Sequence, residues 1–309
     1  MSDRGRAVST FSVVLGAATW GTTGTAQALA DVTSSPAVVG AARVVAGAVA
    51  LLLLAVIVGR TGAPVRSAPR GALVVSGIAI AAYQLLFFSG VDRAGVAVGT
   101  VVGIGSVPVL TGMVAWVADR TAPSRAWWAA TVLAVIGCAL VLAPSGSVSV
   151  DPVGVALSLG AGLAYAVLTV SSRRLLDAGL APTTAMAAVF AVGAVPGAML
   201  LVTQDVSGLG SGRGLALVGW LAIVTVALGY VLYARGLRAL PPATVGTLTL
   251  TEPLVAAMLG VLLLGERPAP LAAAGATLLA LGLVLVARGP AAQAEQAVPL
   301  GAHVHTGDG

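Results

Sequence analysis

Along the chain, long apolar runs alternate with short polar breaks. Ten such runs lie at about 8–29, 36–58, 71–90, 95–117, 125–143, 152–172, 182–203, 214–235, 242–264 and 268–287. A helix rises 1.5 Å per residue, so about 20 apolar residues cross a hydrocarbon core about 30 Å thick. The runs are continuous rather than alternating and exceed the roughly 9–11 residues of a barrel strand, so they predict helices. The breaks are as short as Asp31-Val-Thr-Ser-Ser-Pro36 and Ala118-Asp-Arg-Thr-Ala-Pro-Ser-Arg125, and no soluble domain fits between the runs. The fold class expected is an all-α integral membrane protein of ten transmembrane helices. The first run follows Arg4 and Arg6 and ends in Ala26-Gln-Ala28, as a signal peptide does. Its middle, Thr19-Trp-Gly-Thr-Thr-Gly-Thr25, is too polar for a signal core, so it reads as a retained span. The tail, 289–309, is Ala-, Gln- and Gly-rich and reads as a disordered cytoplasmic segment.

Composition strengthens this picture. Of 309 residues, 58% are hydrophobic and 9% charged, against about 25% charged in a soluble domain. Such a chain lacks the polar residues to cover a water-facing surface. It has no lysine, which excludes a P-loop, and its only histidines, His303 and His305, lie in the tail. A histidine-dependent intramembrane protease has nothing to work with inside the membrane, and no cofactor or metal is expected. Cys138 is a lone thiol in an apolar run and reads as a small core residue. The pI near 10.3 does not point to nucleic acid, because the arginines are spread over short loops. With the N-terminus inside, the inner face holds Arg4, Arg6, Arg60, Arg66, Arg70, Arg120, Arg125, Arg173, Arg174, Arg235, Arg238 and Arg288. The outer face holds only Arg93, Arg213 and Arg267. This positive-inside bias places both termini in the cytoplasm.

The halves repeat each other at an offset of about 143 to 147 residues: Val98-Gly-Thr100 returns as Val245-Gly-Thr247, Leu15-Gly-Ala17 as Leu159-Gly-Ala161, and Gly137 as Gly282. Asp119-Arg120 returns as Glu266-Arg267, and Pro36 as Pro182. Each half, 8–143 and 152–288, holds five spans. Five is odd, so the second half inserts upside down. Inverted repeats with a midplane site are a recurring plan of secondary transporters.

Ten spans in two five-span repeats resemble the EamA-type members of the drug/metabolite transporter superfamily. The likeness covers about residues 8–288. It is carried by Ala18-Thr-Trp-Gly21, by Ala42-Arg43, and above all by Thr251-Glu-Pro-Leu-Val-Ala-Ala-Met-Leu-Gly-Val-Leu-Leu-Leu-Gly-Glu266. The resemblance implies a bacterial inner-membrane carrier, often an exporter of amino acids or other small metabolites. One departure stands out. Pro108 lies 11 residues before Asp119, whereas Pro253 lies 13 before Glu266, so the first-half copy of the motif is eroded.

Two charges lie well inside spans, and such charges usually mark pathways. Glu252 lies roughly 15 Å from the inner end of its span and Arg43 roughly 10 Å below the outer end of its own, a difference in height of about 5 Å. The bland readings are a snorkelling arginine and a protonated acid bonded to a carbonyl freed by Pro253. The repeat equivalent of Arg43 is Val189, so the fold needs no charge there. Trp20, Tyr83 and Gln84 fall at the same level and complete the expected substrate cavity, together with Thr251 and Glu252. Thr247, a turn before Thr251, is a weaker candidate for the same face. Tyr165 and Tyr230 lie nearer the inner side as candidate gate residues. Tyr233, Trp127 and Trp128 read as interfacial belt anchors, and Gly99/Gly103 and Gly193/Gly197 as close-packing pairs. Glu266 and Asp119, at helix ends near opposite interfaces, read as solvated or capping acids.

The expected function is that of a secondary transporter. It would move a small polar metabolite, amino-acid-like or related, across the inner membrane by alternating access, as an exporter, with protons as candidate coupling ion. The alternative is a passive facilitator of the same architecture. An enzyme is disfavoured, because Arg43 and Glu252 alone suit few reactions. An empty site would let Arg43 and Glu252 pair with each other.

Overall fold

The computed structural model describes residues 2–59, 62–120, 122–143 and 151–289. Arg60, His303 and His305, and the tail beyond 289, lie outside the described residues. The helices are α1 (Asp3–Ala30), α2 (Pro36–Ile57), α3 (Arg70–Ala94), α4 (Val96–Gly105), α5 (Val107–Asp119), α6 (Arg125–Val141), α7 (Pro152–Asp177) and α8 (Pro182–Thr203). They continue with α9 (Gly212–Trp220), a π-helical segment (Leu221–Leu228), α10 (Gly229–Leu237), α11 (Pro242–Leu248), α12 (Thr251–Leu264) and α13 (Pro270–Arg288). Short 3₁₀ turns at Val65–Ser67 and Ser207–Gly210 lie in loops. No strand occurs among the described residues; the loops contribute one isolated bridge, Gly62 to Leu180.

Taken end to end, these helices make ten spans. Eight are long and apolar enough to cross a bilayer by that measure alone, α4–α5, α9–α10 and α11–α12 each counting as one. The fifth, Arg125–Val141, is apolar but shorter at 17 residues. The first, α1, has 28 residues, and its threonine-rich middle dilutes its hydropathy. Helix starts follow capping chemistry. Ser2, Ser35, Ser124, Asp151 and Ser211 each accept an orphan amide of the first turn. Proline opens α2, α7, α8, α11 and α13, where a missing N–H costs nothing.

Spans four and nine depart from the expected unbroken helices. Span four breaks at Ser106, and Pro108 opens α5. Span nine breaks at Thr249–Leu250, just before Pro253. A proline ring clashes with the carbonyl four residues earlier and offers no N–H, so the chain cannot continue as a helix. Threonine hydroxyls take up the freed carbonyls. Thr249 donates to Gly246 at 2.7 Å and Thr251 to Leu248 at 2.8 Å.

The packing shows the two-fold exchange of an inverted repeat. α3 packs on α7 and, equivalently, α1 packs on α10. α2 faces α8, α6 faces α13, and α5 faces α11, each pair joining a span to its own repeat. Glycines permit these approaches. A Cβ on Gly137 would strike the backbone of Leu279, and one on Gly282 would lie 2.6 Å from the Ala134 amide. Cys138 is buried beside Ile104, Ala134, Leu250, Leu279 and Leu283.

Loop contacts agree on which segments share an end of the bundle. Arg6 lies near Gly289, and the Ala63 amide donates to the Gly179 carbonyl at 2.9 Å at one end. At the other, Arg93 Nε meets Asp151 at 3.0 Å, and Gly208 abuts Thr33 and Ser34. The Arg93 guanidinium holds the Asp151 carboxyl below its ordinary value, helped by the Val153 amide.

A depressed carboxyl stabilises the fold above its unfolded pKa, about 3.9, and the contribution is lost as pH falls through the folded value. The stability difference between wild type and Asp151→Asn is therefore expected at pH 7 and should vanish in acid. Thermal melts in detergent across pH check this. The same melts should show Gly137→Val destabilised by about 1–3 kcal/mol or more, because overpacking displaces a backbone rather than a flexible side chain.

Candidate functional site: an aromatic cluster beside two unpaired charges

Trp20 on α1 is 4% exposed, and its indole Nε1 donates to the Thr225 carbonyl at 2.8 Å. Its ring centroid lies 4.8 Å from Tyr230, 5.6 Å from Tyr233 and 6.3 Å from Tyr165. Tyr83 on α3 lies 5.4 Å from Tyr165 and stacks at 5.7 Å on Phe87. Phe190 on α8 closes the group at 4.6 Å from Tyr230. These are the offset and edge-on separations that aromatic rings prefer.

The cluster obeys the repeat. Tyr165 follows Trp20 by 145 residues, and Tyr230 follows Tyr83 by 147. The Trp20–Tyr230 contact joins the first and eighth spans; the Tyr165–Tyr83 contact joins the sixth and third. The two pairs are therefore related by the exchange that relates the halves, and they meet through Trp20 and Tyr165.

The charges break that symmetry. Arg43 on α2 and Glu252 in the first turn of α12 are each half-buried. Each lies in the other's field, and Tyr83 and Tyr230 lie in the field of both. Yet the only ion pairs among the described residues are Arg93–Asp151 and Arg173–Asp177. The expected Arg43–Glu252 pair is not formed: their N and O atoms are more than 4.0 Å apart, and neither side chain has a hydrogen-bond partner among the described residues. Two opposite charges thus stand unpaired in the same region as the aromatic cluster. At the start of α12, Glu252 also meets the favourable end of a helix dipole.

The structure thus gathers Trp20, Arg43, Tyr83, Tyr165, Tyr230 and Glu252 in one region. Gln84 lies elsewhere. It lines a separate cleft of about 80 Å³ between α2, α3 and α8, with Gly40, Phe88, Gly193 and Gly197. Thr251 is 6% exposed, with its hydroxyl committed to the Leu248 carbonyl. Thr247 bonds Thr131 across to α6 at 2.9 Å. Two aromatic expectations are corrected. Tyr233 is no interfacial anchor: it is 1% exposed and donates to Thr169 at 2.8 Å. Trp127 is 3% exposed, packed against Gly112.

Two participants have no sequence signal of their own. Phe190 follows the repeat equivalent of Arg43, and Thr225 receives Trp20 through its backbone. Tyr233 does carry a signal that the anchor reading passes over, since it stands three residues after Tyr230 on the same helix face.

The EamA-like transporter family matches residues 8–143 and again residues 152–288. The Bacillus subtilis (strain 168) protein "Uncharacterized transporter YwfM" is 37% identical over 290 residues, covering 94% of this chain and 97% of that protein. The threonine/homoserine exporter RhtA of Escherichia coli (strain K12) is 36% identical over 165 residues, 50% of this chain and 51% of RhtA. A solved crystal structure superposes with TM-score 0.78 over 92% of this chain and 96% of the other, at 18% identity, a likeness of fold alone.

Because Arg43 and Glu252 lie in each other's field without touching, Arg43→Ala and Glu252→Ala should couple in a double-mutant cycle on apo-protein stability, by less than the roughly 3–5 kcal/mol lost when a formed buried pair is broken. Tyr233→Phe should cost about 0.5–1.5 kcal/mol, the net worth of one hydrogen bond, because Thr169 keeps its bond to the Tyr165 carbonyl. Chemical denaturation in detergent measures both.

Proposed function

This chain belongs to the EamA-like transporter family, and from that premise we propose that it is a secondary carrier of a small amino-acid-like metabolite, exported by alternating access. The observation that carries this reading is that Arg43 and Glu252 stand unpaired beside one aromatic cluster. A zwitterion presents a carboxylate to the guanidinium fork and an ammonium to the carboxylate. The rings supply the apolar remainder of a pocket with few oriented polar groups.

RhtA, named as an exporter of threonine and homoserine, makes short hydroxylated amino acids the first substrates to try. The arginine distribution supports cytoplasmic termini, and the bacterial relatives support an inner-membrane location. The end that carries Arg6 and Gly289 is then the inner end. Its spans are the tightly packed ones: every residue of α11 is buried, against three in α12. Glu252 is the candidate carrier of a coupling proton, since no other acid lies deep in a span. The Arg43 and Glu252 region is the substrate cavity, and Tyr165 and Tyr230 belong to its closed inner side.

Counterflow in proteoliposomes tests the proposal. Labelled threonine or homoserine should enter faster, by several-fold, when unlabelled substrate is loaded on the far side. A facilitator gives no such trans-stimulation. Arg43→Lys keeps the charge and loses the bidentate geometry, so half-saturation should rise about tenfold or more, from a loss of about 1.5–3 kcal/mol. Glu252→Gln should reach the membrane yet lose transport or its pH dependence. Wild-type rates and wild-type pH dependence in Glu252→Gln would remove that residue from the mechanism.

A further inference from the structure

The eighth span changes helix type in its middle. Through α9 the backbone bonds follow the α pattern, with the Leu221 amide reaching the Leu217 carbonyl. Over Leu221–Leu228 the helix is π, and at its end the Gly229 amide reaches back five residues to the Val224 carbonyl. The Arg238 amide, after α10, again reaches the Ala234 carbonyl four residues back. Such segments are rare, and an eight-residue one is long for the type. The repeat equivalent, α3, is an uninterrupted α-helix of 25 residues with Tyr83 in the place of Tyr230. The same architecture therefore accepts either register at this position.

Side chains hold the π register. Beside the backbone ladder, the Thr225 hydroxyl donates to the Leu221 carbonyl at 2.7 Å. The Thr225 carbonyl in turn accepts the Trp20 indole. A second strut joins the same two spans nearer the outer end, where Trp220 Nε1 donates to Thr22 at 2.9 Å. α1 reaches this segment because both helices carry glycine there. A Cβ on Gly16 would stand 2.7 Å from the Gly229 carbonyl oxygen, and one on Gly229 would stand 2.8 Å from Trp20 Nε1. Trp20 thus touches the aromatic cluster with its ring and the π segment with its N–H.

We propose that the Leu221–Leu228 segment is the moving joint of the carrier and that the Trp20 indole is its latch. When Trp20 shifts with the occupancy of the site, the Thr225 carbonyl is released and the segment returns to α register. One residue of register turns α9 by about 100° and moves it about 1.5 Å relative to α10. α10 stays seated, because all its residues but Arg235 are buried. The rotation breaks the Trp220–Thr22 strut and repositions the outer half of the span against α1 and α2. This inference rests on the alternating-access reading.

Deleting Ile223, which is 62% exposed and faces lipid, removes the extra residue of the π turn while leaving α9 and α10 in their present orientation. The deletion should freeze the joint. The variant should still bind substrate by thermal shift, lose at least 20-fold in counterflow, and exchange its amides over 221–230 more slowly than wild type. Trp20→Phe keeps a ring and loses the donor, and Thr225→Val loses the hydroxyl. Both should exchange at least tenfold faster over 221–230, with α3 amides 78–86 unchanged. Wild-type counterflow by the Ile223 deletion would overturn the proposal. If the deletion fails to insert, the exchange measurement on Trp20→Phe decides. Rates over 221–230 equal to wild type, or acceleration spread equally over α3, would overturn it. The exchange readout needs no substrate. Failure of amino-acid counterflow in wild type would therefore sink the substrate reading alone, and the exchange rates would still decide for or against the joint.

Discussion

The bilayer interior offers no water, so every backbone carbonyl that leaves a helix ladder must find a donor within the protein. Much of the centre of this molecule answers that demand. Span nine breaks just before Pro253, and there the Thr249 and Thr251 hydroxyls donate to the Gly246 and Leu248 carbonyls while the Thr249 carbonyl accepts the Glu252 amide. Ser106 reaches the Gly103 carbonyl at 3.3 Å beside the break in span four. The π register of span eight is held by Thr225 and by Trp20. Hydroxyls and one indole thus substitute for solvent, and they sit where the helices are irregular. Glu252 stands at one of those irregular points, and Trp20, on the regular helix α1, reaches another with its indole. The polar residues that make broken helices tolerable and the proposed site residues are thus neighbours, because both need a place where the ladder is open.

Close helix approach follows from the same constraint. Lipid tails compete with leucine as packing partners, so helices associate through small residues that bring backbones together. Gly16 against Gly229, and Gly137 and Gly282 across α6 and α13, are such places. The α6–α13 contact repeats itself under the two-fold exchange. The α1–α10 contact has its counterpart in α3–α7, where a Cβ on Gly90 would stand 2.9 Å from the Ser158 amide.

The span pattern was legible because hydropathy reports lipid contact directly. That Arg43, Glu252, Trp20 and Tyr83 share one level of the bundle was expected from rise per residue, and the structure gathers them in one region. Azimuth was harder. Tyr83 and Gln84 are adjacent, so they point about 100° apart on the same helix. One joins the aromatic cluster and the other lines the cleft beside Gly40. Height alone placed them together. Tyr233 and Trp127 were misjudged for a related reason. An aromatic near a span end reads as a belt anchor, but burial depends on whether a neighbouring helix covers it. The π segment had no signal at all, because a run such as Leu-Ala-Ile-Val-Thr-Val-Ala-Leu is apolar on every face and carries no period.

Symmetric rings and asymmetric charges divide the labour at the centre. Under the proposed alternating access the two ring pairs would trade places as the halves exchange conformation, because each repeat supplies one member of each. A charge cannot be traded in this way. Val189 stands where Arg43 would recur, and the residue one before Pro108 is Val107 where Glu252 would recur. Had both repeats carried both charges, the cavity would hold two like pairs at close range, each raising the cost of burying the other. One arginine from the first half and one glutamate from the second give a single dipolar site. On the proposed carrier reading, a zwitterion bound there would contact both halves at once, which is the condition for its occupancy to bias how the halves sit against each other.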